Sequence, residues 1–205
     1  MRVSEARPVL LARRRLLARG GVLGSAAVLA GTILAGALAL EPREAEAASA
    51  SQLTQGSLAA LQRLYADEPH TRTLGQRARA ILVFPQIVKG GFFVGGQTGD
   101  GALLVNGSAV GYYNISALSF GLQFGAQAFS YALFFMTDSA LDYLKSSQGW
   151  AIGSGPSVVV LDKGAAASVT STTLTQDVYA VPFGQQGLMA GLSIEGSKIT
   201  HIYPN

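Results

Sequence analysis

The fold is decided by residues 119–131, which read SFGLQFGAQAFSY. The side chains alternate along this stretch: one face carries Phe120, Leu122, Phe124, Ala126 and Ala128, and the other carries Ser119, Gly121, Gln123, Gly125 and Gln127. Alternation of this length predicts a half-buried β-strand with the apolar face in the core. We expect this strand to continue to residue 136, with a bulge or a bend.

The second face of this strand is unusual because it is built from glycine and glutamine. Glycine weakens a strand by about 0.5–1 kcal/mol relative to alanine, so Gly121 and Gly125 indicate a bend or a close backbone approach. The amides of Gln123 and Gln127 can both donate and accept hydrogen bonds. The face could therefore hold another segment or a polar headgroup, although the simpler interpretation is a curved sheet that closes on itself.

The chain before this strand begins with helical patterns. Residues 52–68 place Leu58, Leu61 and Leu64 at helical spacing, which predicts an amphipathic helix that ends at Pro69. Residues 73–76 fit a capping box and predict a second, short helix to about residue 80. The apolar run 81–84 then predicts a buried strand closed by Pro85.

Beyond residue 90 the helical spacing gives way to short strand patterns separated by glycine. Turns are predicted at 99–101, 106–107 and 196–197, and Thr137 with Asp138 predicts the start of a helix over 139–146. The other predicted strands are 92–94, 102–105, 110–115, 157–161, 165–172, 177–181, 188–194 and 198–203. This order predicts an α+β fold: a strongly curved, mainly antiparallel β-sheet or partial barrel with N-terminal helices and one inserted helix. Connections this short exclude the crossovers that parallel strands need.

Residues 1–47 have the features of an export signal. Three arginines, Arg13, Arg14 and Arg15, precede the uncharged segment 20–40, and residues 45–47 supply the small-x-small pattern of a cleavage site. Residues 13–17 resemble a twin-arginine signal. The alternative is an uncleaved N-terminal anchor, because the uncharged segment is long enough to span a bilayer. The sequence thus predicts an exported protein, periplasmic or associated with the cell envelope, whose folded domain is residues 48–205.

The positive charge of the chain belongs to this leader. Seven of the 15 Lys and Arg and four of the 12 Asp and Glu precede Ala48, so the leader carries a net +3 and residues 48–205 carry zero. A protein that binds nucleic acid needs a surplus of cations on its folded part. Nucleic acid is therefore excluded as a predicted partner.

Residues that could carry catalysis are scarce. There is no cysteine, and the two histidines, His70 and His201, are far apart in the chain. No nucleophile elbow, Walker loop or complete dinucleotide-binding loop occurs, and no spacing suggests a metal site. We therefore expect no enzyme activity, no cofactor and no metal, and a hydrolase is the weakest of the alternatives.

Cations are concentrated in one part of the folded domain. Five of the eight lie within residues 63–89, namely Arg63, Arg72, Arg77, Arg79 and Lys89. A cationic helical patch beside apolar sequence is typical of contact with acidic lipids. The alternative is an ordinary solvated helix face.

Several motifs resemble the SYLF lipid-binding family. They are residues 80–85 (AILVFP), 89–92 (KGGF), 94–96 (VGG), 99–101 (GDG), Tyr112-Tyr113, 119–127 (SFGLQFGAQ) and 187–196 (GLMAGLSIEG). The resemblance spans roughly residues 55–203. It implies a non-enzymatic α+β domain that binds phosphoinositides or other acidic phospholipids at a membrane surface.

The resemblance also suggests which residues contact lipid. The basic positions that match are Arg72, Arg77, Arg79 and Lys89, and Lys89 is the first choice because it belongs to the family pattern itself. Relatives that act at actin carry additional SH3 or FYVE modules, which this chain lacks, so actin is not expected as a partner. The alternative to lipid binding is a structural or protein-binding module of the cell envelope.

Overall fold

The computed structural model describes residues 48–91, 94–120, 125–161, 174–187 and 196–205. Within these ranges the predicted α+β class is confirmed: three helices accompany an eight-stranded sheet that curls into a half-barrel. The order of strands across the sheet is β5-β8-β3-β2-β1-β4-β7-β6. The elements are α1 (Ala50–Asp67), α2 (Thr71–Arg77), β1 (Ala80–Gly91), β2 (Val94–Val105), β3 (Ser108–Phe120), β4 (Gly125–Phe135), α3 (Asp138–Ser146), β5 (Trp150–Ala151), β6 (Val158–Val160), β7 (Val178–Gly187) and β8 (Lys198–Ile202). The predicted leader and the predicted strands 165–172 and 188–194 lie outside the described residues, as do Phe92 and Phe93.

Helix α1 confirms the first predicted helix. Ser49 caps it, because its hydroxyl accepts a hydrogen bond from the backbone N–H of Gln52, whose side chain accepts one from the backbone N–H of Ser49. The helix ends before Pro69, as expected. The backbone N–H of Ala50 donates to the carbonyl oxygen of Asn205 at 3.0 Å, so the start of α1 is held beside the end of the chain.

Helix α2 differs from its prediction at both ends. It begins at Thr71 rather than near Thr73, and His70 caps it without a side-chain hydrogen bond. The predicted capping box is wrong because Thr71 starts the turn, donating its hydroxyl to the carbonyl of Glu68 at 2.7 Å. The backbone becomes extended at Ala78, so Arg72 and Arg79 do not share a helix face.

Strand β1 continues past Pro85, contrary to the prediction that this residue closes it. The pairing of β1 with both neighbours shifts register between Phe84 and Ile87. A proline cannot donate to a ladder of hydrogen bonds, so it is tolerated where a bulge interrupts the ladder. The bulge lets the strand resume its pairing as far as Gly91.

Residues 99–101 lie in the middle of β2, so the turn predicted there is wrong. A side chain at Gly99 would collide with the carbonyl oxygen of Gln86, and one at Gly101 with that of Val83. These glycines are required by the close approach of β1 rather than by a turn. The turn predicted at Asn106 and Gly107 is confirmed, with φ angles of 50° and 79° joining β2 to β3.

The predicted single strand over residues 119–136 is wrong. β3 ends at Phe120 and β4 begins at Gly125; β3 pairs with β2 and β4 pairs with β1, both antiparallel. Because β1 and β2 are themselves antiparallel, β3 and β4 run in opposite directions on either side of that hairpin. Residues 121–124, which include the Gln123 of the prediction, lie outside the described residues.

In the described part of this stretch, the side chains that point to the core are also the opposite ones from those predicted. Gln127 is buried and Ala126 is exposed. Gln127 lies on the same face of β4 as four large apolar residues, and their burial turns this face toward the core. They are Phe129, Tyr131, Leu133 and Phe135. The period-two pattern was identified correctly, but its phase changes between Phe124 and Phe129.

Both faces of the sheet carry a hydrophobic cluster. The inner face, defined by Leu82, Phe84, Leu103 and Leu133, packs against α3 and Trp150. The outer face, with Val83, Ala102 and Phe134, packs against Leu61 and Leu64 of α1 and Leu74 of α2. Helix α3 begins after the predicted cap, Thr137.

One strand pair departs from the expected antiparallel arrangement. β6 pairs with β7 in parallel, with Val158 opposite Val178. The long connection between residues 160 and 178 makes this possible, since parallel neighbours need a connection of about a dozen residues or more. The sheet is nevertheless mainly antiparallel, as predicted.

Candidate functional site

The two ends of the sheet differ in how well they are covered. We call the part around 80–84, 102–105 and 131–135 the closed end, because helices cover it on both faces. We call the part around 87–91, 94–98, 116–120 and 125–128 the open end. The side chains of Val88 and Leu118 are 49% and 76% exposed there, so the open end is where a partner could reach the sheet.

A row of polar side chains crosses the inner face of the open end. Lys89 of β1 lies directly opposite Gln97 of β2 on one side and Gln127 of β4 on the other. Residues directly opposite on neighbouring strands point to the same face, and both glutamines are at most 8% exposed. We call these three residues the polar row; Lys89, which is half-buried, stands at its centre.

One end of the polar row is fixed by a hydrogen bond. The amide nitrogen of Gln97 donates to the hydroxyl of Ser197 at 3.0 Å, and both groups are buried. Ala117 faces Gln97 on β3, and its small side chain leaves room for this bond. The hydrogen bond ties the Gln97 amide to Ser197, which directly precedes β8.

The other end of the polar row has unused hydrogen-bonding capacity. The amide oxygen of Gln127 is buried and has no hydrogen-bond partner among the described residues. A buried acceptor without a partner costs roughly 1–3 kcal/mol, which suggests that a ligand or water completes it. Beside it, the Lys89 ammonium can donate to an anion, so the pair can recognise a group that carries both negative charge and a donor.

A second buried oxygen without a partner lies deeper on the inner face. The hydroxyl of Tyr131 has no hydrogen-bond partner within the part of the chain that the structure describes. Burial raises the pKa of Tyr131 to about 12, so this phenol stays neutral. It is surrounded by the apolar inner cluster, where its ring packs edge-on against Phe129 at 5.3 Å.

The three predicted arginines lie together near the closed end, away from Lys89. Arg72 and Arg77 are exposed on α2, and the guanidinium of Arg72 lies 5.2 Å from the centre of the Tyr65 ring. Arg79 directly precedes β1 and forms an ion pair with Asp138 at 3.4 Å, in which both side chains are largely exposed. Nine residues of strand separate Arg79 from Lys89, about 30 Å at the rise of a β-strand. The four cations therefore do not form one patch.

The outer face of the open end carries an apolar groove of about 660 Å³. Small residues, including Gly90, Gly96 and Ala117, form much of its lining, with Val88 and Leu118 at its sides. Lys198 of β8 contributes a cation to the same groove. The open end thus combines apolar surface with lysine on both faces.

The residues considered for catalysis are not brought together. His70 is exposed at the start of α2, whereas His201 of β8 packs against the rings of Tyr113 and Tyr203 at 5.0 and 4.5 Å. No group of three or more metal-ligating side chains occurs within the described ranges. In those same ranges no helix is long and apolar enough to cross a membrane.

Sequence reasoning missed Gln97 and Ser197. Gln97 lies among the glycines at 95, 96 and 99, which hide the alternation of β2, and Ser197 was assigned only to a turn. A useful signal would have been that a polar residue at an inward-facing position of a strand usually needs a partner. Lys89, in contrast, was singled out from the sequence and lies at the centre of the row.

The comparison with known proteins gives one finding. Residues 116–202, somewhat less than half of the chain, match the model of a family described as "Ysc84: Las17-binding protein actin regulator". The match includes Gln127 and Ser197 of the site, while Lys89, Gln97 and the three arginines precede it. No curated protein matches the chain.

Proposed function

We propose that this protein, whose residues 116–202 match the model of the SYLF (Ysc84) family, a family of binding domains, binds acidic phospholipid headgroups at a membrane surface through its open end. The observation that carries the proposal is the position of Lys89, half-buried between two buried glutamines. A single cation held among amides is suited to one headgroup rather than to a polyanion.

The polar row matches the chemistry of a headgroup that bears hydroxyls. The Lys89 ammonium would donate to a phosphate oxygen, and the amide oxygen of Gln127 would accept from a glycerol or sugar hydroxyl. Phosphatidylglycerol and phosphoinositides carry both groups, whereas phosphatidic acid lacks the hydroxyl. We propose that this protein acts outside the cytoplasm of a bacterium. Phosphoinositides are scarce there, so the native ligand is expected to be another anionic lipid.

The surroundings of the polar row also suit a membrane surface. Val88 and Leu118 can enter the interfacial region beside Lys198, since apolar side chains next to cations are typical of interfacial contacts. Arg72, Arg77 and Arg79 would act as a separate, weaker contact, because each cation near an anionic surface contributes about 1 kcal/mol and Arg79 already pairs with Asp138. The proposal requires no catalytic step.

Vesicle co-sedimentation of the full chain tests the proposal. We expect more protein to bind vesicles containing phosphatidylglycerol than neutral phosphatidylcholine vesicles, with a smaller difference at high salt. Lys89→Ala should weaken acidic-vesicle binding by about fivefold, which corresponds to roughly 1 kcal/mol. The matched control is Lys145→Ala, an exposed lysine on α3, which should bind like the unmodified chain.

Three results would count against the proposal. Equal binding to acidic and neutral vesicles would rule out headgroup recognition. An equal loss from Lys89→Ala and Lys145→Ala would mean that net charge, not the polar row, controls binding. A greater loss from Arg79→Ala than from Lys89→Ala would move the contact to the closed end.

A protein-binding role is the second candidate, and the family description favours it because it refers to a Las17-binding protein. The groove with Val88 and Leu118 offers apolar surface to such a partner. Under this alternative the unmodified protein binds lipid only weakly. Leu118→Asp would then abolish binding to the protein partner and leave the weak lipid binding unchanged. Actin is not expected to bind, and co-sedimentation with actin filaments checks this prediction.

A further inference from the structure

A small polar pocket beside α1 is lined by residues of α1, β1, β4 and β7. Its volume is about 220 Å³, which accommodates one compact group and not a whole lipid. Its polar side chains are those of Arg63 of α1, Gln86 of β1, Ser130 of β4 and Gln186 of β7. We call it the bulge pocket.

Two neighbouring irregularities in the sheet open this pocket. β1 shifts register between Phe84 and Ile87, and the pairing of β4 with β7 shifts between Ala128 and Ser130. The Ser130 hydroxyl donates to the carbonyl oxygen of Pro85 at 2.7 Å, which ties the first bulge to β4. Beside the second shift, Gly184 of β7 has a φ of 62°. Bulges are over-represented beside active sites, where they re-aim side chains.

The charge of the bulge pocket is unbalanced. Among the described residues that line it, Arg63 is the one cation and none is acidic, and Arg63 forms no ion pair with any of the residues that the structure describes. The amides of Gln86 and Gln186 can each donate two hydrogen bonds. A guanidinium with amide donors around a small space is suited to a planar or tetrahedral oxyanion.

We propose that the bulge pocket binds a phosphate group, held by the Arg63 guanidinium and the amides of Gln86 and Gln186. Inorganic phosphate in solution and the terminal monoester of a lipid headgroup present the same oxygens, so the pocket can take either. The site is distinct from the polar row, because none of the three residues of that row is among the described residues that line the pocket. It does not depend on the function proposed above.

Calorimetric titration of the full chain with inorganic phosphate tests the site. Arg63→Gln should weaken binding at least tenfold, because it removes a charged, two-pronged donor. Ala128→Leu should weaken it similarly without changing any charge, since Ala128 lines the pocket. Lys145→Gln is the matched control, removing one exposed helical cation elsewhere, and should bind phosphate normally.

Clear outcomes would overturn the site. Equal losses from Arg63→Gln and Lys145→Gln would reduce the effect to net charge, and undiminished binding by a folded Ala128→Leu protein would place phosphate elsewhere. If Ala128→Leu does not fold, as judged by circular dichroism, Gln186→Ala replaces it and should lower the affinity about threefold; an unchanged affinity in that variant would also overturn the site.

Two further measurements separate the sources of the phosphate and the two sites. The protein is bound to vesicles that contain phosphatidic acid, and soluble phosphate is then added. If the phosphate displaces the protein from the vesicles, the ligand of the pocket is a lipid monoester. If it does not, the ligand is free phosphate. Lys89→Ala should keep its phosphate affinity while its binding to phosphatidylglycerol vesicles weakens about fivefold. A loss of phosphate binding in Lys89→Ala would contradict an independent site.

Discussion

The closed and open ends are built from the same strands but are stabilised very differently. At the closed end, Phe134 and Phe135 are fully buried on opposite faces of β4, one under the N-terminal helices and the other under α3 and Trp150. At the open end of β1, Val88 is half exposed and Lys89 is flanked by amides. One end of the sheet is therefore packed on both faces, whereas the other presents polar and apolar groups that none of the described helices covers, and we expect the packed end to contribute more to stability.

The largest difference between the ends should appear when a large side chain is removed. Phe134→Ala should lower the free energy of unfolding by about 3–5 kcal/mol, because it leaves a cavity among well-packed neighbours. Leu118→Ala, at the open end, should cost less than about 0.5 kcal/mol. Urea denaturation of both variants measures the two values, and similar losses would contradict the division into a closed and an open end.

Glycines on β2 provide the second test. Gly101→Ala should destabilise by about 1–3 kcal/mol, because the new methyl group would collide with the backbone of Val83 and the ring of Phe84. Gly96→Ala meets only ordinary contacts with Ala117 and Leu118 at 3.6 and 3.9 Å. It should be neutral or stabilise by about 0.5 kcal/mol, since alanine loses less backbone freedom on folding. Thermal melts of the two variants measure which one loses more stability. A larger loss in Gly96→Ala than in Gly101→Ala would contradict the prediction.

Gln127 tests whether the open end gives up stability for binding. Gln127→Leu should raise the free energy of unfolding by about 1 kcal/mol, because it removes a buried acceptor without a partner. The same change should weaken the binding of phosphatidylglycerol vesicles, since the polar row loses its acceptor. Urea denaturation and co-sedimentation together measure both effects. A variant that is less stable than the unmodified protein would show that the amide is already satisfied.

The smallest effect is expected at Asp177, close to the closed end. Its carboxylate accepts hydrogen bonds from the backbone N–H and hydroxyl of Ser157 and from the hydroxyl of Thr137, and these bonds, those of Ser157 first, hold the pKa of Asp177 below its ordinary value. A carboxyl with a lowered pKa adds stability above its unfolded pKa of about 3.8 and loses it as the pH falls through the folded value. The gain in unfolding free energy between pH 3 and pH 6 should therefore be slightly smaller in Asp177→Asn than in the unmodified protein. An identical pH profile would show that these hydrogen bonds do not favour the charged form.

The sequence predicted the fold class and singled out Lys89, but it did not predict the path of the chain around this residue. Helices α1 and α3 were predictable because their caps and apolar spacing are local signals, at Ser49 and Leu61 in one and at Thr137 in the other. The sequence did not show that Phe120 and Gly125 belong to two different strands, because the alternating pattern of apolar residues runs through both of them without a break. The glycines at 99 and 101 were misread because the carbonyls that exclude a side chain belong to another strand, and no local pattern shows them.

Only part of the candidate site was predicted, again because contacts between strands leave no local pattern in the sequence. Lys89 carries a signal within a short motif, whereas its neighbours Gln97 and Gln127 depend on the register of three strands. The arginines were grouped with Lys89 because they are near in the sequence, but an extended strand separates them by about 30 Å. Their role in lipid binding stays a prediction.

The hydrogen bond between Ala50 and Asn205 makes this domain suited to circular permutation. With these two residues in contact, a short glycine linker could join residue 205 to residue 48, and new termini could be opened in the exposed turn at Asn106 and Gly107. In such a rearranged chain every strand would keep its neighbours in the sheet, and only the turn between β2 and β3 would be cut. Its refolding would show whether the order of the strands along the chain matters for assembling the half-barrel.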